Sequence, residues 1–445
     1  MVNRKIYSYL KDFFLSDKKS LLVTGARQVG KTYAIRKVGE ETFKHFVEFN
    51  FIKTPKLKTI FANPLDTNDI LLRISALTGT KLEPGNTLIF FDEVQECPEI
   101  VTAIKFLVDE GSYRYVMSGS LLGVELKDLR SVPVGYMAEK EMFPLDFEEF
   151  ALALGMSDEV MRHLHECYDK RNPIDSIVHE KMMELLRLYL VIGGMPAVVA
   201  KYLETNNMQN VRREQENILK LYKKDIVKYA DNKLFIKEIF DRIPSELNAQ
   251  NKRFILKSLN DSAKFEKYEN SFLWLTDAGV ALPTYNVDKP CAPLKLNEQR
   301  NLFKLFLNDV GLLSCMYSSG FQLNIMIGEI NANFGAVFEN FAAQELHSHG
   351  YDLYYFNSKK QGELDFVIEH DNQALPIEIK SGKDYKRHNA LCNVMKNEEY
   401  AIKEAFVFTT KNIEILDRNI YLPVYMLMYL HERELPNKKI VFEPM

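Results

Sequence analysis

Residues 25–32 carry the most specific arrangement of chemically active residue types in the sequence. They read GARQVGKT, which satisfies the pattern GxxxxGK[ST], and they stand between the apolar run SLLVTG and the helical pattern YAIRKVGEE. A strand before the pattern and a helix after it are the context in which it folds into a phosphate-binding loop. The alternative is a glycine-containing turn formed by chance, which the two flanking elements disfavour.

The residue types in this loop predict how a nucleotide would be bound. The glycines let backbone N–H groups wrap the phosphates, Lys31 reaches the β- and γ-phosphate oxygens, and Thr32 offers its hydroxyl to Mg²⁺. We therefore predict ATP and Mg²⁺ as cofactors. The predicted contacts along the loop are Gly25, Ala26, Arg27, Gln28, Val29, Gly30, Lys31 and Thr32.

Acidic residues follow a second apolar run, TLIFFDE, in which residues 88–91 read as a buried strand. Asp92 is predicted to hold the Mg²⁺ shell, and Glu93 to polarise the attacking water, so that ATP is hydrolysed as well as bound. A further strand, YRYVMSGS, ends at Ser118 and Ser120, either of which could reach the γ-phosphate or the water. A polar strand end without such a role is the alternative for these serines.

A second charged group occurs in GELDFVIEHDNQALPIEIKSGK, residues 362–383. Successive side chains of a strand point to opposite faces, so Asp365 is predicted to share a face with Glu363 and Val367, and Glu378 to share one with Lys380. If the two runs pair antiparallel through the HDNQ turn, then Asp365, Glu378 and Lys380 converge in a metal-ligand geometry with an adjacent cation. The residues predicted to face the core are Leu364, Phe366, Ile368, Ile377 and Ile379.

The alternative for this hairpin is structural, because charged residues also protect the exposed edges of sheets. Upstream, the sequence NFGAVFENFAAQEL predicts a core-facing helix, with Glu339 at the edge of its apolar stripe. Basic residues lie on both sides of the hairpin and either flank a phosphate backbone or form a solvated face. They are Lys359, Lys360, Lys383, Lys386, Arg387 and His388.

The order of patterns along the chain predicts four units. Residues 1–150 alternate strands with helices, as in a parallel sheet with crossover helices. Residues 151–205 read as a helical lid interrupted by GGMP, and residues 206–290 as a helical, winged-helix-like module. Residues 291–445 return to mixed strands and helices.

Composition indicates an ordinary soluble protein of 445 residues, with 46% hydrophobic and 27% charged residues. The net charge of −4 gives no global reason to expect nucleic acid, so any such contact must come from a local basic surface. No apolar run has the length of a membrane span and the N-terminus lacks a signal-peptide pattern, so we expect a cytoplasmic protein with no membrane partner. The five cysteines are scattered and predict reduced, structural thiols.

Four segments resemble, in order and spacing, a group of prokaryotic ATPases in which an AAA-type domain is fused to a C-terminal domain of uncharacterised function related to restriction endonucleases. They are TGARQVGKT, LIFFDEVQ, VMSGSLLGVELKDLRSVPVGY and FPLDFEEF, and YLVIGGMPAVV and LFLNDVGLL extend the resemblance over nearly the whole chain. The family usually carries an Arg where this sequence has Tyr136. The resemblance therefore implies that an Arg finger toward a neighbouring subunit is lost here or has passed to Arg130, and it leaves an oligomer open.

The same resemblance gives the C-terminal residues a role. Glu339, Asp365 and Glu378-x-Lys380 are similar to the catalytic signature of the PD-(D/E)XK nucleases, in which acids gather Mg²⁺ and the Lys orients or activates water against a phosphodiester. The predicted fold is α/β, with a P-loop parallel sheet, a helical lid, a winged-helix-like middle and a restriction-endonuclease-like C-terminal domain. Two functions follow: an ATPase with a nuclease-like domain acting on DNA or RNA, or a nucleotide-switched interaction protein that does not cleave.

Overall fold

Two β-sheets organise the chain, one before residue 142 and one after residue 280. They are seen in a computed structural model that describes residues 2–62, 66–79, 82–119, 135–229, 232–249, 252–256, 259, 265–329, 334–382 and 384–432. Three residues named above, Ser120, Arg130 and Lys383, lie outside these ranges.

The N-terminal sheet has five parallel strands in the order β2-β3-β4-β1-β5. The strands are β1 Ser20–Thr24, β2 His45–Asn50, β3 Thr87–Asp92, β4 Arg114–Ser118 and β5 Met137–Glu141. Every residue of β3 is buried, as expected for a central parallel strand with both faces covered. The carboxyl ends of β1, β3 and β4 meet at one edge of the sheet, where Asp92 lies opposite Ser118. The predicted parallel sheet is confirmed.

Helices pack around this sheet and then dominate the chain as far as residue 277. The first four are α1 Lys5–Ser16, α2 Lys31–Thr42, α3 Thr67–Thr78 and α4 Glu99–Glu110. They are followed by α5 Phe147–Ala153, α6 Asp158–Lys170, α7 Ser176–Ile192, α8 Pro196–Thr205, α9 Met208–Tyr229, α10 Lys233–Leu247 and α11 Phe265–Asp277. Among the described helices, none has by itself the length and apolar composition of a membrane span, and only the bent pair α7 and α8 reaches that threshold together.

The break between α7 and α8 is enforced by close backbone contacts. Gly193 has φ +76°, and a Cβ atom on Gly194 would lie 2.0 Å from the carbonyl oxygen of Leu145. Pro196 occupies the first turn of α8, where its missing N–H costs no helical hydrogen bond. The GGMP sequence therefore joins two helices where the backbone of another segment leaves no room for a side chain.

The C-terminal sheet is mixed and has eight strands in the order β12-β13-β11-β10-β9-β8-β6-β7. The strands are β6 Ala281–Val287, β7 Glu298–Leu307, β8 Tyr354–Ser358, β9 Gly362–His370, β10 Gln373–Lys380, β11 Ala405–Thr409, β12 Glu414–Leu416 and β13 Asn419–Pro423. The helices here are α12 Val310–Met316, α13 Ser319–Ile327, α14 Gly335–Ser348 and α15 Asn389–Met395. The domain boundary predicted between residues 290 and 291 is wrong, because it separates β6 from β7 and β8, with which β6 pairs.

The hairpin of β9 and β10 lies in the middle of this sheet and pairs antiparallel, as predicted. The register between β8 and β9 shifts between Tyr354 and Phe356, so two residues of β9 face one residue of β8. Because of this bulge, Leu364 packs in the same cluster as Val367, whereas Phe366 belongs to the main core. The predicted grouping of Leu364 with Phe366, and of Val367 with Asp365, is therefore wrong.

Candidate functional site

The loop between β1 and α2 follows a path that requires glycine at both ends. Gly25 has φ +119°, and a Cβ atom there would lie 2.2 Å from the carbonyl oxygen of Met142. Gly30 has φ +96° at the start of α2, a backbone conformation that other residues rarely adopt. The spacing of the two glycines in the sequence pattern thus matches two constraints of the fold.

Lys31 is buried at the centre of this loop. Its Nζ donates hydrogen bonds to the carbonyl oxygens of Gly25 and Ala26, both at 2.8 Å. Burial lowers the pKa of Lys31 to about 8, although the charges of Glu93 and Asp92 oppose the shift. The ammonium group therefore ties the end of the loop to its first two residues, and its contact with phosphate oxygens stays a prediction.

Asp92 is the polar centre of the sheet edge. Its carboxylate accepts hydrogen bonds from Thr32 Oγ1 at 3.2 Å, from Asn50 Nδ2 at 2.8 Å and from the hydroxyl of Ser118. Burial raises the pKa of Asp92, against the effect of the Ser118 hydrogen bond. Asn50 was not predicted, and it reaches Asp92 because β2 pairs with β3 and places the two residues side by side.

Glu93 follows Asp92 in a left-handed backbone conformation, with φ +60°. Its Oε2 accepts a hydrogen bond of 2.6 Å from Gln95 Nε2. Left-handed conformations of non-glycine residues cost free energy and often mark functional positions. This turn directs Glu93 to the same cleft as Lys31 and Thr32.

The cleft has a volume of about 430 Å³. Predicted residues that line it are Arg27, Gln28, Gly30, Lys31, Thr32, Asp92, Glu93 and Ser118. Pro196 and Ala197 at the start of α8 also line it, so the helical region forms one wall. A second link joins this region to the loop, since the Arg27 guanidinium pairs with Asp225 of α9. Val29 is buried in the core and is not among the residues that line the cleft.

Tyr136, where the resemblance noted above implied an Arg, immediately precedes β5 and lies at the amino ends of the strands, on the side of the sheet away from the cleft. Its carbonyl oxygen accepts a hydrogen bond of 2.9 Å from the N–H of Ser20, the first residue of β1. The ammonium group of Lys105 lies 5.3 Å from the centre of the Tyr136 ring. Tyr136 is thus remote from the nucleotide cleft of its own chain.

The C-terminal acids and Lys380 converge as predicted, in the interior of the sheet. Asp365 Oδ2 accepts a hydrogen bond of 2.9 Å from the N–H of Ile379, and Lys380 Nζ lies 2.6 Å from Glu378 Oε2. Glu378 and Glu339 are each only 2% exposed. The alternative of exposed charges on an edge strand is therefore wrong for this hairpin, because its strands are central and Glu378 is buried.

Two further lysines that the sequence analysis missed enter the same cluster. Lys252 Nζ pairs with Glu339 Oε1. Lys304 is completely buried on β7. Its Nζ lies 2.8 Å from Glu363 Oε1 and 3.9 Å from Glu339 Oε2. The one signal for Lys304 was a charged residue within the apolar run NLFKLFL, and Lys252 had no such signal.

Burial and mutual repulsion set the charge states of the acids. Burial raises the pKa of Glu378 to about 8, and the neighbouring carboxylate of Asp365 adds to the shift. Burial also raises the pKa of Glu339, again with a contribution from Asp365. For Asp365, burial acts in the same direction, but the surrounding lysines outweigh it and hold the pKa below its ordinary value.

A divalent cation would meet both suitable ligands and competitors here. Oxygen donors from Glu339, Asp365 and Glu378 suit Mg²⁺, and Glu339 Oε2 is a buried atom that accepts no hydrogen bond from the described residues. No group of three or more His, Cys, Asp or Glu side chains in the described ranges is already arranged around one metal position. The oxygen donors are of the type that Mg²⁺ prefers, but the acids are not grouped around one position and lysines now neutralise them.

The described basic residues around the hairpin differ in their surroundings. Lys359 and Lys360 are exposed, but Lys386 pairs with Glu414 at 2.7 Å. His388 is buried and its Nε2 lies 2.6 Å from the hydroxyl of Tyr421. The prediction of His388 as a surface contact for phosphate is wrong, because its ring packs beneath the surface of the sheet.

Comparison with protein families gives three matches along the chain. Residues 17–151 match the AAA domain, residues 183–324 match a domain of unknown function (DUF8612), and residues 334–427 match another (DUF4143). A comparison with curated proteins found no match.

Among solved structures, the chain is similar to a Walker-type ATPase of Pyrococcus abyssi, with 13% identity, a TM-score of 0.43, and coverage of 71% of this chain and 96% of that one. It is also similar to the ORC1 protein of Aeropyrum pernix in complex with DNA, with 11% identity, a TM-score of 0.27, and coverage of 73% and 94%. A third similar structure is the RuvB Holliday junction branch migration motor of Thermotoga maritima, with 13% identity and a TM-score of 0.30. The match covers 63% of this chain and 89% of that one.

These structural similarities are remote, and the assignment rests on the family match together with the cleft. The loop, the buried Lys31, and Asp92 bonded to Thr32 all lie within the matched segment. Residues 17–151 therefore form an AAA-type ATP-binding domain.

Proposed function

We propose that this protein hydrolyses ATP at the N-terminal cleft and cleaves nucleic acid phosphodiesters at the C-terminal acidic cluster. The observation that supports hydrolysis is the position of Glu93, which lies in the cleft beside Asp92 and is held by Gln95. In this proposal Thr32 and Asp92 hold the Mg²⁺ that accompanies ATP. Glu93 accepts a proton from the water that attacks the γ-phosphate, and ADP leaves with its bridging oxygen.

The proposal of phosphodiester cleavage rests mainly on the buried contacts among Asp365, Glu378 and Lys380. Burying several like charges is costly, and active sites are where such arrangements recur. Glu339, Asp365 and Glu378 would hold Mg²⁺, which supplies positive charge to a phosphate oxygen and makes a bound water more acidic. Lys380 would orient the water and stabilise charge that develops on the phosphate.

A second function is favoured by the other lysines. Lys252 and Lys304 neutralise Glu339 and Glu363 without any metal, which is what a stable charge network in a non-cleaving binding domain needs. In that case the C-terminal sheet binds a partner under control of the nucleotide and performs no chemistry. The absence or presence of metal-dependent cleavage separates the two functions.

The test of hydrolysis is Glu93→Gln. We expect this variant to retain ATP affinity and to lose turnover by on the order of a hundredfold or more, because an amide cannot accept the proton. Lys31→Ala is the control, since it should lose ATP affinity itself. Phosphate release and binding of a fluorescent ATP analogue measure the two quantities, and unchanged turnover in Glu93→Gln would remove Glu93 as the base.

Cleavage is tested on labelled single-stranded DNA, duplex DNA and RNA, with Mg²⁺ or EDTA, and with or without ATP. We expect Mg²⁺-dependent products from the wild type and none from Glu378→Gln, because the amide loses the negative charge that the metal requires. Products that persist in Glu378→Gln would come from a contaminant. The lack of products from the wild type on all three substrates would favour the binding function.

A further inference from the structure

Lys252 differs from the other two lysines of the cluster in where it comes from. Lys304 belongs to β7 and Lys380 to β10, so both are fixed by the sheet. Lys252 stands outside the sheet, in the segment that follows α10. Its side chain is 24% exposed, against 28% for Lys380 and 0% for Lys304. Of the three, Lys252 alone combines a partly exposed side chain with a backbone that no strand of the sheet carries.

The segment that carries Lys252 is attached two and three residues after it. Phe254 donates its backbone N–H to the carbonyl oxygen of Phe303 at 2.9 Å, and Ile255 donates its own to Glu246 Oε2 at 3.0 Å. The backbone near Lys252 is thereby anchored to β7 and α10. The fold therefore keeps the backbone of this segment close to Glu339, while the Lys252 side chain keeps its own rotational freedom.

Glu339 offers only one carboxylate, and its two oxygens are used unequally. Lys252 takes Oε1, while Oε2 is buried, accepts no hydrogen bond from the described residues and lies 3.9 Å from Lys304 Nζ. A divalent cation shared by Glu339 and Asp365 would bring a second positive charge next to the Lys252 ammonium. Two cations on one buried carboxylate repel each other strongly, because the interior screens charge poorly.

We propose that Lys252 is an intramolecular stand-in for the metal, occupying the cation position on Glu339 and leaving when a divalent cation binds. This inference rests on the proposed metal-dependent site, and it adds a residue that controls entry of the ion. In the absence of metal, Lys252 neutralises Glu339 and lets the fold keep its acids buried. When the ion is bound, the exposed end of Lys252 returns toward solvent.

The test is a calorimetric titration of Mn²⁺ into the full chain, without nucleic acid. Lys252→Gln and Lys252→Met remove the competing charge, and the Gln variant keeps a hydrogen-bond donor for Glu339 in case the Met variant folds poorly. We expect both to bind Mn²⁺ at least about tenfold more tightly than the wild type, which corresponds to about 1.4 kcal/mol. Lys252→Arg keeps the charge and should match the wild type.

Lys237→Met is the matched control, because Lys237 is an exposed lysine on α10 and its removal should leave the affinity unchanged. If the neutral Lys252 variants bind Mn²⁺ no more tightly than the wild type, while Glu339→Gln weakens binding, the stand-in role is overturned and the metal site survives. If Mn²⁺ binds to none of the proteins, both the stand-in role of Lys252 and the proposed metal site are wrong.

Discussion

Asp309 connects the C-terminal sheet to the turn that leads into the nucleotide cleft. It lies two residues after β7 and is completely buried. Its Oδ2 accepts a hydrogen bond of 2.6 Å from the N–H of Gly194, and its Oδ1 accepts one of 2.9 Å from the N–H of Leu312. Gly194 is followed closely by Pro196, which lines the cleft.

Replacing Asp309 with Ala should destabilise the protein strongly. The change leaves two buried N–H groups without partners, and each such group costs roughly 1–3 kcal/mol, so the expected loss is about 2–6 kcal/mol. Asp309→Asn keeps one side-chain oxygen, which can serve one of these two donors, and should cost less than Asp309→Ala. We therefore expect Asp309→Ala to be the least stable of the three proteins, below both the wild type and Asp309→Asn.

Urea unfolding midpoints measure the order of stability of the three proteins. The variant Ser318→Ala gives the cost of losing one exposed hydrogen bond, for comparison. Ser318 caps α13 by accepting from the N–H of Phe321 at 3.2 Å, in an exposed position, so its loss should cost about 1 kcal/mol. Because Gly194 positions the start of α8, Asp309→Ala should also weaken ATP binding. If Asp309→Ala is no more costly than Ser318→Ala and binds ATP normally, the reasoning about this link is refuted.

Two other predictions concern charge. Burial raises the pKa of Asp309 to about 6, so the folded protein takes up this proton at a higher pH than the unfolded chain. Relative to Asp309→Asn, the wild type should therefore gain up to about 3 kcal/mol in free energy of unfolding as pH falls from 7 to 4, and lose it as pH rises through about 6. The measurement is the urea unfolding midpoint of each protein across this range. A constant difference between the two midpoints at every pH would contradict the prediction. Lys380→Ala should bind Mn²⁺ at least as tightly as the wild type, yet cleave nucleic acid on the order of a hundredfold more slowly. Calorimetry and the cleavage assay measure the two quantities. A weaker affinity for Mn²⁺ would place Lys380 in the metal site instead.

The N-terminal site was predictable because its determinants are contiguous. The loop at residues 25–32 carries its own glycines, lysine and threonine, and Asp92 ends an apolar run whose burial the sequence indicates. Asn50 was missed because it acts through the pairing of β2 with β3, and that pairing follows from the strand order rather than from a local pattern.

The C-terminal site was predictable in its acids and not in its surroundings. Alternation along the strands brings Asp365 and Glu378 together. A bulge in β9 changes which residues of that strand share a face, and no residue type in the sequence indicates the bulge. Lys252 and Lys304 reach the acids from segments distant in sequence. The hairpin is not an edge because β8 pairs with β9 and β11 pairs with β10. The pairing of β10 with β11 joins segments separated by α15, so no local pattern indicated it.

The measurement that most directly tests the C-terminal site is Mn²⁺ binding by the wild type and by Asp365→Asn. Asp365 is the acid whose pKa the neighbouring lysines keep low, so it is the ligand that is already ionised near neutral pH. We predict that the wild type binds the ion and that Asp365→Asn, folded to the same extent by circular dichroism, loses at least about tenfold in affinity, or about 1.4 kcal/mol. Equal affinity in the two proteins would contradict a metal site formed by these acids.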